Sequence, residues 1–152
     1  MIKQRLKYSE LSPAPYKGMV TALMALEKGA LDKATIELMF MRVSQINGCA
    51  YCIDMHTKAL HKAGLPWDKI VLTQVWREAG QWFSPRERAA LAWAESLTLI
   101  AQTNAPDEVF AQVQAEFSDA EVTDLSIAIG LMNAYNRLAI GLRKLPDSAP
   151  RD

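Results

Sequence analysis

The sequence predicts an all-α protein, a compact bundle of about six or seven helices. Three observations carry that reading. Apolar residues recur at spacings of three and four along most of the chain. Two segments, "SPRE" at 84–87 and "SDAE" at 118–121, pair a serine with a glutamate three residues later. That is the capping box, in which the two side chains satisfy orphan backbone amides at a helix start. There is no convincing alternating strand, internal repeat or low-complexity linker.

The elements follow in order. "YKGMVTALMALEKG" places Tyr16, Met19, Val20, Leu23, Met24 and Ala25 on one amphipathic face, opened by Ser12-Pro13 and closed near Gly29. A second helix starts at Asp32 and runs through "KATIELMFMRVSQI" until Asn47-Gly48 interrupts it. A third covers Cys49 to Lys62 and ends at Gly64, with Pro66 close behind. A shorter helix covers "PWDKIVLTQ". Ser84, followed by Pro85 in the first helical position, opens a helix over 84–102. "NAP" breaks the chain, "DEVFAQVQAEF" forms a short helix, and Ser118 opens a long one over 118–143. The final "PDSAPRD" reads as a frayed tail.

The 152 residues fit one domain, 1–152, long enough to bury a sizeable core. No stretch approaches the roughly 18 apolar residues of a membrane span. "MIKQRLKYSELSPAPYKG" lacks the apolar centre of a signal peptide, so a soluble, cytoplasmic protein is expected. Seventeen basic residues balance seventeen acidic ones without a basic block, which removes the electrostatic case for nucleic acid or an anionic membrane.

The chemistry concentrates in "NGCAYCIDMH", residues 47–56, which holds both cysteines and one of the two histidines. A close cysteine pair in a reducing compartment is more often catalytic or metal-binding than a structural disulfide. At about 100° per residue, Cys52 and His56 fall roughly 300° and 340° around the helix from Cys49, so all three share a face about 60° wide. The helix start favours thiolate over thiol. A histidine one turn below Cys52 can accept a thiol proton, and the thiolate is the nucleophile. If Asn47-Gly48 is a tight turn, Glu37 lies at nearly the level of His56 and can orient it. Glu37, His56 and Cys52 then form a proton relay, with Cys49 as a second thiol.

Plainer readings stand beside this one. Buried cysteines often act only as small hydrophobes. Glu37 on its own reads as a solvated helix residue, and Tyr51 as a packing residue. Zinc is the main competing chemistry, through Cys49, Cys52, His56 and His61. His61 falls near 120° on the same wheel and about 18 Å along the axis from Cys49, so one continuous helix cannot wrap these four around an ion. Zinc would need ligands from elsewhere or from another subunit. A thioredoxin-type C-x-x-C follows a strand; here a helix precedes it.

"LDKATIELMFMRVSQINGCAYCIDMHTKAL", residues 31–60, closely resembles the core of the alkylhydroperoxidase D / carboxymuconolactone decarboxylase family. The family's redox pattern is a glutamate twelve residues before a C-x-x-C, then a histidine four residues after the second cysteine. Glu37, Cys49, Cys52 and His56 match it. "WREAGQWFSPRERAALAWAESLT" and "NAYNRLAIG" extend the resemblance weakly along the chain. It implies an all-helical protomer assembling as a homotrimer or homohexamer, and a thiol peroxidase cycle without haem, flavin or metal. In that cycle Cys52 attacks the peroxide, Cys49 resolves the sulfenic acid to a disulfide, and His56 and Glu37 relay the proton. The best-known members are re-reduced by a lipoyl-carrying protein. They also carry a histidine between the cysteines, where this chain has Tyr51. That departure bears on the peroxide rate and on the reductant. The decarboxylase branch lacks the cysteine pair, so lactone chemistry fits poorly.

The leading expectation is therefore an antioxidant enzyme reducing hydroperoxides through a Cys49–Cys52 dithiol/disulfide cycle. A dithiol/disulfide oxidoreductase or redox sensor, and a non-enzymatic helical assembly protein, are the alternatives. Asn133, Asn136 and Arg137 read as hydrogen-bonding groups holding helices or subunits together rather than as substrate ligands. Trp67, Trp76, Trp82 and Trp93 read as core or interface residues.

Overall fold

The computed structural model describes residues 3–150. Residues 1–2, and residues 151–152 of the expected tail, lie outside them. Among the described residues the fold is all-helical, with no strand and with no helix long and apolar enough to cross a membrane. The helices are α1 (Tyr8–Leu11), α2 (Pro13–Leu26), α3 (Lys33–Asn47), α4 (Ala50–Lys62), α5 (Trp67–Leu72), α6 (Pro85–Thr98), α7 (Ile100–Thr103), α8 (Asp107–Glu116) and α9 (Asp119–Gly141). Single 3₁₀ turns cover Thr73–Val75 and Gly80–Trp82.

Seven of these are the expected helices. The two extra ones are single turns. Tyr8–Leu11 lies in the polar N-terminal stretch and buries no residue. Ile100–Thr103 was expected as the end of the helix over 84–102. Leu99 leaves helical geometry at φ −99°, ψ 30°, and the chain restarts for one turn before Asn104 enters the left-handed region. The tail is also less free than expected, because the Ser148 hydroxyl donates to Asp54 on α4 at 2.7 Å.

Helix starts follow their local chemistry. Asp32 accepts from the Thr35 amide at 2.8 Å and opens α3. Ser84 with Glu87, and Ser118 with Glu121, form complete capping boxes at α6 and α9. α3 is the centre of the molecule. It packs on α4, α6 and α9, and Ile36, Met39, Phe40 and Val43 are almost wholly buried. That is the near-continuous burial expected of a helix with neighbours on several sides. One core joins α3, α6, α8 and α9 through Leu91's neighbours Ala90 and Ala94, with Val113, Leu125 and Ile129. A second joins α3, α4 and α5 through Leu38, Met41, Leu60 and Ile70. Trp76 and Trp93 belong to these cores, whereas Trp67 and Trp82 are exposed. The second core holds α4 against α3, and this fixes the site.

Candidate functional site

The turn between α3 and α4 creates the site. Gly48 adopts φ 70°, ψ 35°, a left-handed conformation that costs glycine nothing. It lets the Gly48 and Cys49 amides close on the Gln45 and Ser44 carbonyls, at 3.2 and 2.9 Å. The chain folds α4 back along α3. Cys49 is therefore the residue that caps α4, one position outside the helix proper, with extended backbone at φ −85°, ψ 95°. Its sulfur accepts the Cys52 backbone N–H at 3.4 Å. The helical wheel drawn from Cys49 thus begins one residue early, but Cys52 and His56 keep their spacing on α4.

The four expected residues come together. Both cysteines are free thiols and almost wholly buried, at 1 % and 2 % exposure. Glu37 on α3 meets His56 on α4, with Oε2 2.8 Å from Nδ1. Both are buried, so the carboxylate fixes the ring through Nδ1–H and leaves Nε2 as the working nitrogen. Phe40 packs on the imidazole at 5.4 Å between ring centroids. Nε2 is buried and hydrogen-bonds no protein group, neither thiol included.

Cys52, His56 and Glu37 share the wall of a cavity of about 240 Å³. Tyr8 from α1, Tyr16, Val20 and Leu23 from α2, Tyr51 and Met55 from α4 and Tyr135 from α9 are among the other residues that line it. Cys49 lies behind Cys52 and does not line it; it sits with Cys52 and Ala139 in a small apolar cluster that Tyr51 covers. Tyr8, Tyr16 and Tyr135 form a short aromatic chain, the first pair tilted at 5.6 Å and the second edge-on at 6.2 Å between centroids. The Tyr135 hydroxyl is buried without a protein partner, and burial pushes its pKa up.

The thiols titrate as a pair. The Cys52 S–H donates to Cys49, and this hydrogen bond, with the Cys52 and Tyr51 backbone amides and the Asn136 side chain, brings Cys49 down to about 7 against the opposing effect of burial. Cys52 is pushed up because it donates that proton and would place a second charge beside the first. The pair therefore gives up one proton near neutral pH and holds the other. Helix-start placement favoured a Cys49 thiolate from the sequence; the largest cause is the thiol next to it.

His61 takes no part. It is exposed on the far end of α4 and stacks on Trp67 at 4.1 Å, which separates the four ligands a zinc reading needs. Among the described residues no group of three or more His, Cys, Asp and Glu side chains is arranged to hold a metal ion.

Sequence reasoning missed the polar floor of the site. Asn136 on α9 has no exposed surface; its Nδ2 donates to Ser44 on α3 at 3.1 Å, and the two draw the proton affinity of the neighbouring thiols down. Ser44 lies seven residues after Glu37, two helical turns along the same face of α3. That spacing was a readable signal. The place of Asn136 was not, because it depends on how α9 packs on α3. The cavity tyrosines carried no signal of their own.

Comparison with known proteins agrees with this architecture. Residues 13–96 match the model of the carboxymuconolactone decarboxylase family. YdfG of Bacillus subtilis is 36 % identical over 93 % of this chain and 95 % of its own length. An Agrobacterium tumefaciens protein of unknown function, described as a putative antioxidant defence protein AhpD, superposes with a TM-score of 0.92 at 38 % identity, covering 99 % of this chain and 100 % of its own. The alkyl hydroperoxide reductase AhpD of a Bradyrhizobium strain is 53 % identical, but only over 24 % of this chain and 20 % of its own length. With a family match over more than half its length and a full-length relative above one-third identity, the chain belongs to the carboxymuconolactone decarboxylase family, and its Cys49–Cys52 pair is consistent with the AhpD-like members.

Proposed function

We propose that the protein is a thiol-dependent peroxidase that reduces organic hydroperoxides through a Cys49–Cys52 dithiol/disulfide cycle. The observation that carries the reading is the division of the pair: Cys52 opens on an apolar cavity shared with His56 and Glu37, while Cys49 stands behind it within hydrogen-bonding reach. The first proton leaves the pair near neutral pH, and the S–H···S bond lets the remaining proton move between the sulfurs. With the proton on Cys49, the Cys52 thiolate attacks one peroxide oxygen. The O–O bond breaks, Cys52 becomes a sulfenic acid, and the alkoxide takes a proton and leaves as alcohol. His56 is the group placed to hold and return that proton across the cavity, with Glu37 fixing its ring. Cys49 then displaces water from the sulfenic sulfur and forms the disulfide.

A dithiol reductant must supply two electrons and two protons to restore the thiols. Access runs through a narrow cavity to a thiol that is 2 % exposed. This favours a slender dithiol such as a lipoyl arm over direct attack on a folded protein's disulfide. We also propose assembly as a homotrimer or homohexamer, supported by exposed apolar residues on the outer faces, among them Ile100, Ile127 and Ile140. The deciding experiment measures hydroperoxide consumption with a dithiol reductant in excess. Repeated turnover supports the enzyme. A single stoichiometric oxidation points to a sensor, and no response to a structural role.

A further inference from the structure

Four buried side-chain polar atoms among the described residues bond no protein group: Gln45 Oε1, His56 Nε2, Ser96 Oγ and the Tyr135 hydroxyl. Two of them, on His56 and Tyr135, belong to the cavity wall that holds Cys52. That wall takes in every tyrosine of the chain, Tyr8, Tyr16, Tyr51 and Tyr135. Tyr135 alone has a hydroxyl that is both buried and unpartnered. A buried polar group without a partner destabilises the fold, and in a native structure it calls for an occupant or a use. The peroxidase reading uses His56 and leaves Tyr135 without a task. The two atoms are complementary. Glu37 holds the Nδ1–H of His56, so Nε2 of the neutral ring is an acceptor. Burial keeps the Tyr135 phenol protonated, so it has a hydrogen to donate. One acceptor and one donor on the same cavity match a single hydroxyl or hydroperoxyl group, which both donates and accepts.

The remaining wall decides what that group is attached to. Val20, Leu23, Phe40 and Met132 surround it with apolar surface. A dry apolar cavity of about 150 Å³ is enough for benzene. At about 240 Å³ this one has room for a single ring with a short branch. Among the described residues that line it there is no Lys or Arg, whereas Glu27 and Glu37 are present. A ligand carboxylate would therefore be buried without a counter-ion. We propose that the cavity binds a compact, neutral, apolar hydroperoxide, and that Tyr135 is a catalytic residue: its hydroxyl donates to the carbon-bearing oxygen while the terminal O–H donates to His56 Nε2. The Cys52 thiolate attacks the terminal oxygen, the S–O bond forms and the O–O bond breaks. The electron pair of the broken bond passes to the carbon-bearing oxygen. There Tyr135 stabilises the alkoxide as it develops and keeps its own proton. A proton delivered through His56 completes the alcohol, and Cys52 is left as the sulfenic acid.

The assignment rests on the peroxidase reading for its chemistry, but its binding half is tested without peroxide. Cumyl alcohol, the product left by cumene hydroperoxide, and cumene, the same skeleton without the hydroxyl, are titrated into the reduced protein and followed by protein NMR shifts, in wild type and Tyr135→Phe. Both ligands are expected to bind the wild type. The variant keeps the ring and loses only an unpartnered hydroxyl, so it should fold and bind cumene as before. Its preference for the alcohol over the hydrocarbon should fall by about two- to tenfold, the loss of one neutral hydrogen bond. Benzoate, of similar size but charged, should not bind. A preference that Tyr135→Phe leaves unchanged, or benzoate binding as tightly as the alcohol, overturns the site. The catalytic half is read from stopped-flow oxidation of Cys52 by cumene hydroperoxide and by perbenzoic acid. The carboxylate that leaves perbenzoic acid is stable without a donor, so Tyr135→Phe should slow cumene hydroperoxide by roughly 10- to 10²-fold and perbenzoic acid much less. Equal slowing of the two, or none, overturns the catalytic role. A hydroxyl-dependent preference in a protein that no hydroperoxide oxidises sinks the peroxidase reading and leaves the hydroxyl-binding cavity standing; turnover with an unmoved preference does the reverse.

Discussion

Removing each cysteine in turn should produce two different failures, and the hydrogen bonding of the pair sets their size. Cys52→Ala takes away the S–H that is the largest influence lowering Cys49 to about 7 from the ordinary thiol value of 9.0. The backbone amides and Asn136 remain, so the Cys49 pKa should settle between about 8 and about 9. About half of Cys49 is ionised at pH 7 in the wild type; the variant keeps about a tenth at best and about a hundredth at worst. Alkylation of Cys49 by iodoacetamide at pH 7 should therefore slow by about fivefold to about fiftyfold, since only thiolate reacts. Alanine is the right substitution, because a serine hydroxyl would still donate to Cys49.

Cys49→Ala has the opposite consequence. Cys52 is pushed up by its bond to Cys49, by burial and by the neighbouring charge, while Asn136 and Ser44 pull it down. Without Cys49 the first and third causes disappear. Cys52 should become the reactive thiol, open to the cavity and short of a resolving partner. After a brief hydroperoxide pulse, its sulfenic acid should accumulate and be trapped by a sulfenic-acid reagent, located by peptide mass spectrometry. Cys52→Ala should trap little. If Cys52→Ala carries the label on Cys49 at the wild-type rate, Cys49 is the attacking thiol and the roles assigned from the cavity are reversed.

Other outcomes follow from the same geometry. His56→Ala and Glu37→Gln should each slow the peroxide step by roughly 10²- to 10³-fold while both thiols still titrate with a thiol reagent, because they remove the proton carrier and its orienting group; stopped-flow oxidation of the dithiol protein checks this. The dithiol form should gain stability between pH 7 and 9, by up to about 2 kcal/mol, because the unfolded chain then holds more protons than the folded pair. That gain is lost as pH falls through 7. Above pH 9 it declines again, as the unfolded chain sheds a second proton that Cys52 retains. The disulfide form should show neither slope, and parallel melting profiles of the two forms would refute the coupled pair. Ser118→Ala should lower stability by about 1 kcal/mol in urea melts by breaking the capping box of α9. Leu60→Ala should cost about 3 kcal/mol, because Leu60 is fully buried where α4 meets α3.

What was legible in the sequence was whatever is encoded within a helical turn or two. The capping boxes at Ser84 and Ser118 formed as spaced, since each needs only four consecutive residues. The meeting of Glu37 with His56 was also accessible, because a single left-handed glycine separates their helices and the rise per residue sets both levels. Leu99 shows where local reading stops. Nothing in "SLTLIAQ" forbids helix, and the break there follows a change of backbone direction before Asn104 that periodicity does not register. Asn136 shows it more sharply. It lies 84 positions after Cys52 in the sequence numbering, and only the packing of α9 on α3 brings it to the thiols. The same polar side chain on an apolar helix reads as a structural hydrogen-bonding group, which it is for Asn47. Both ends of one carboxamide tie α9 to α3: its oxygen accepts from Asn47 and its nitrogen donates to Ser44. Asn136 has no exposed surface, so losing either bond strands a buried polar group, and a variant at this position should be judged by stability before any change in thiol chemistry is read from it.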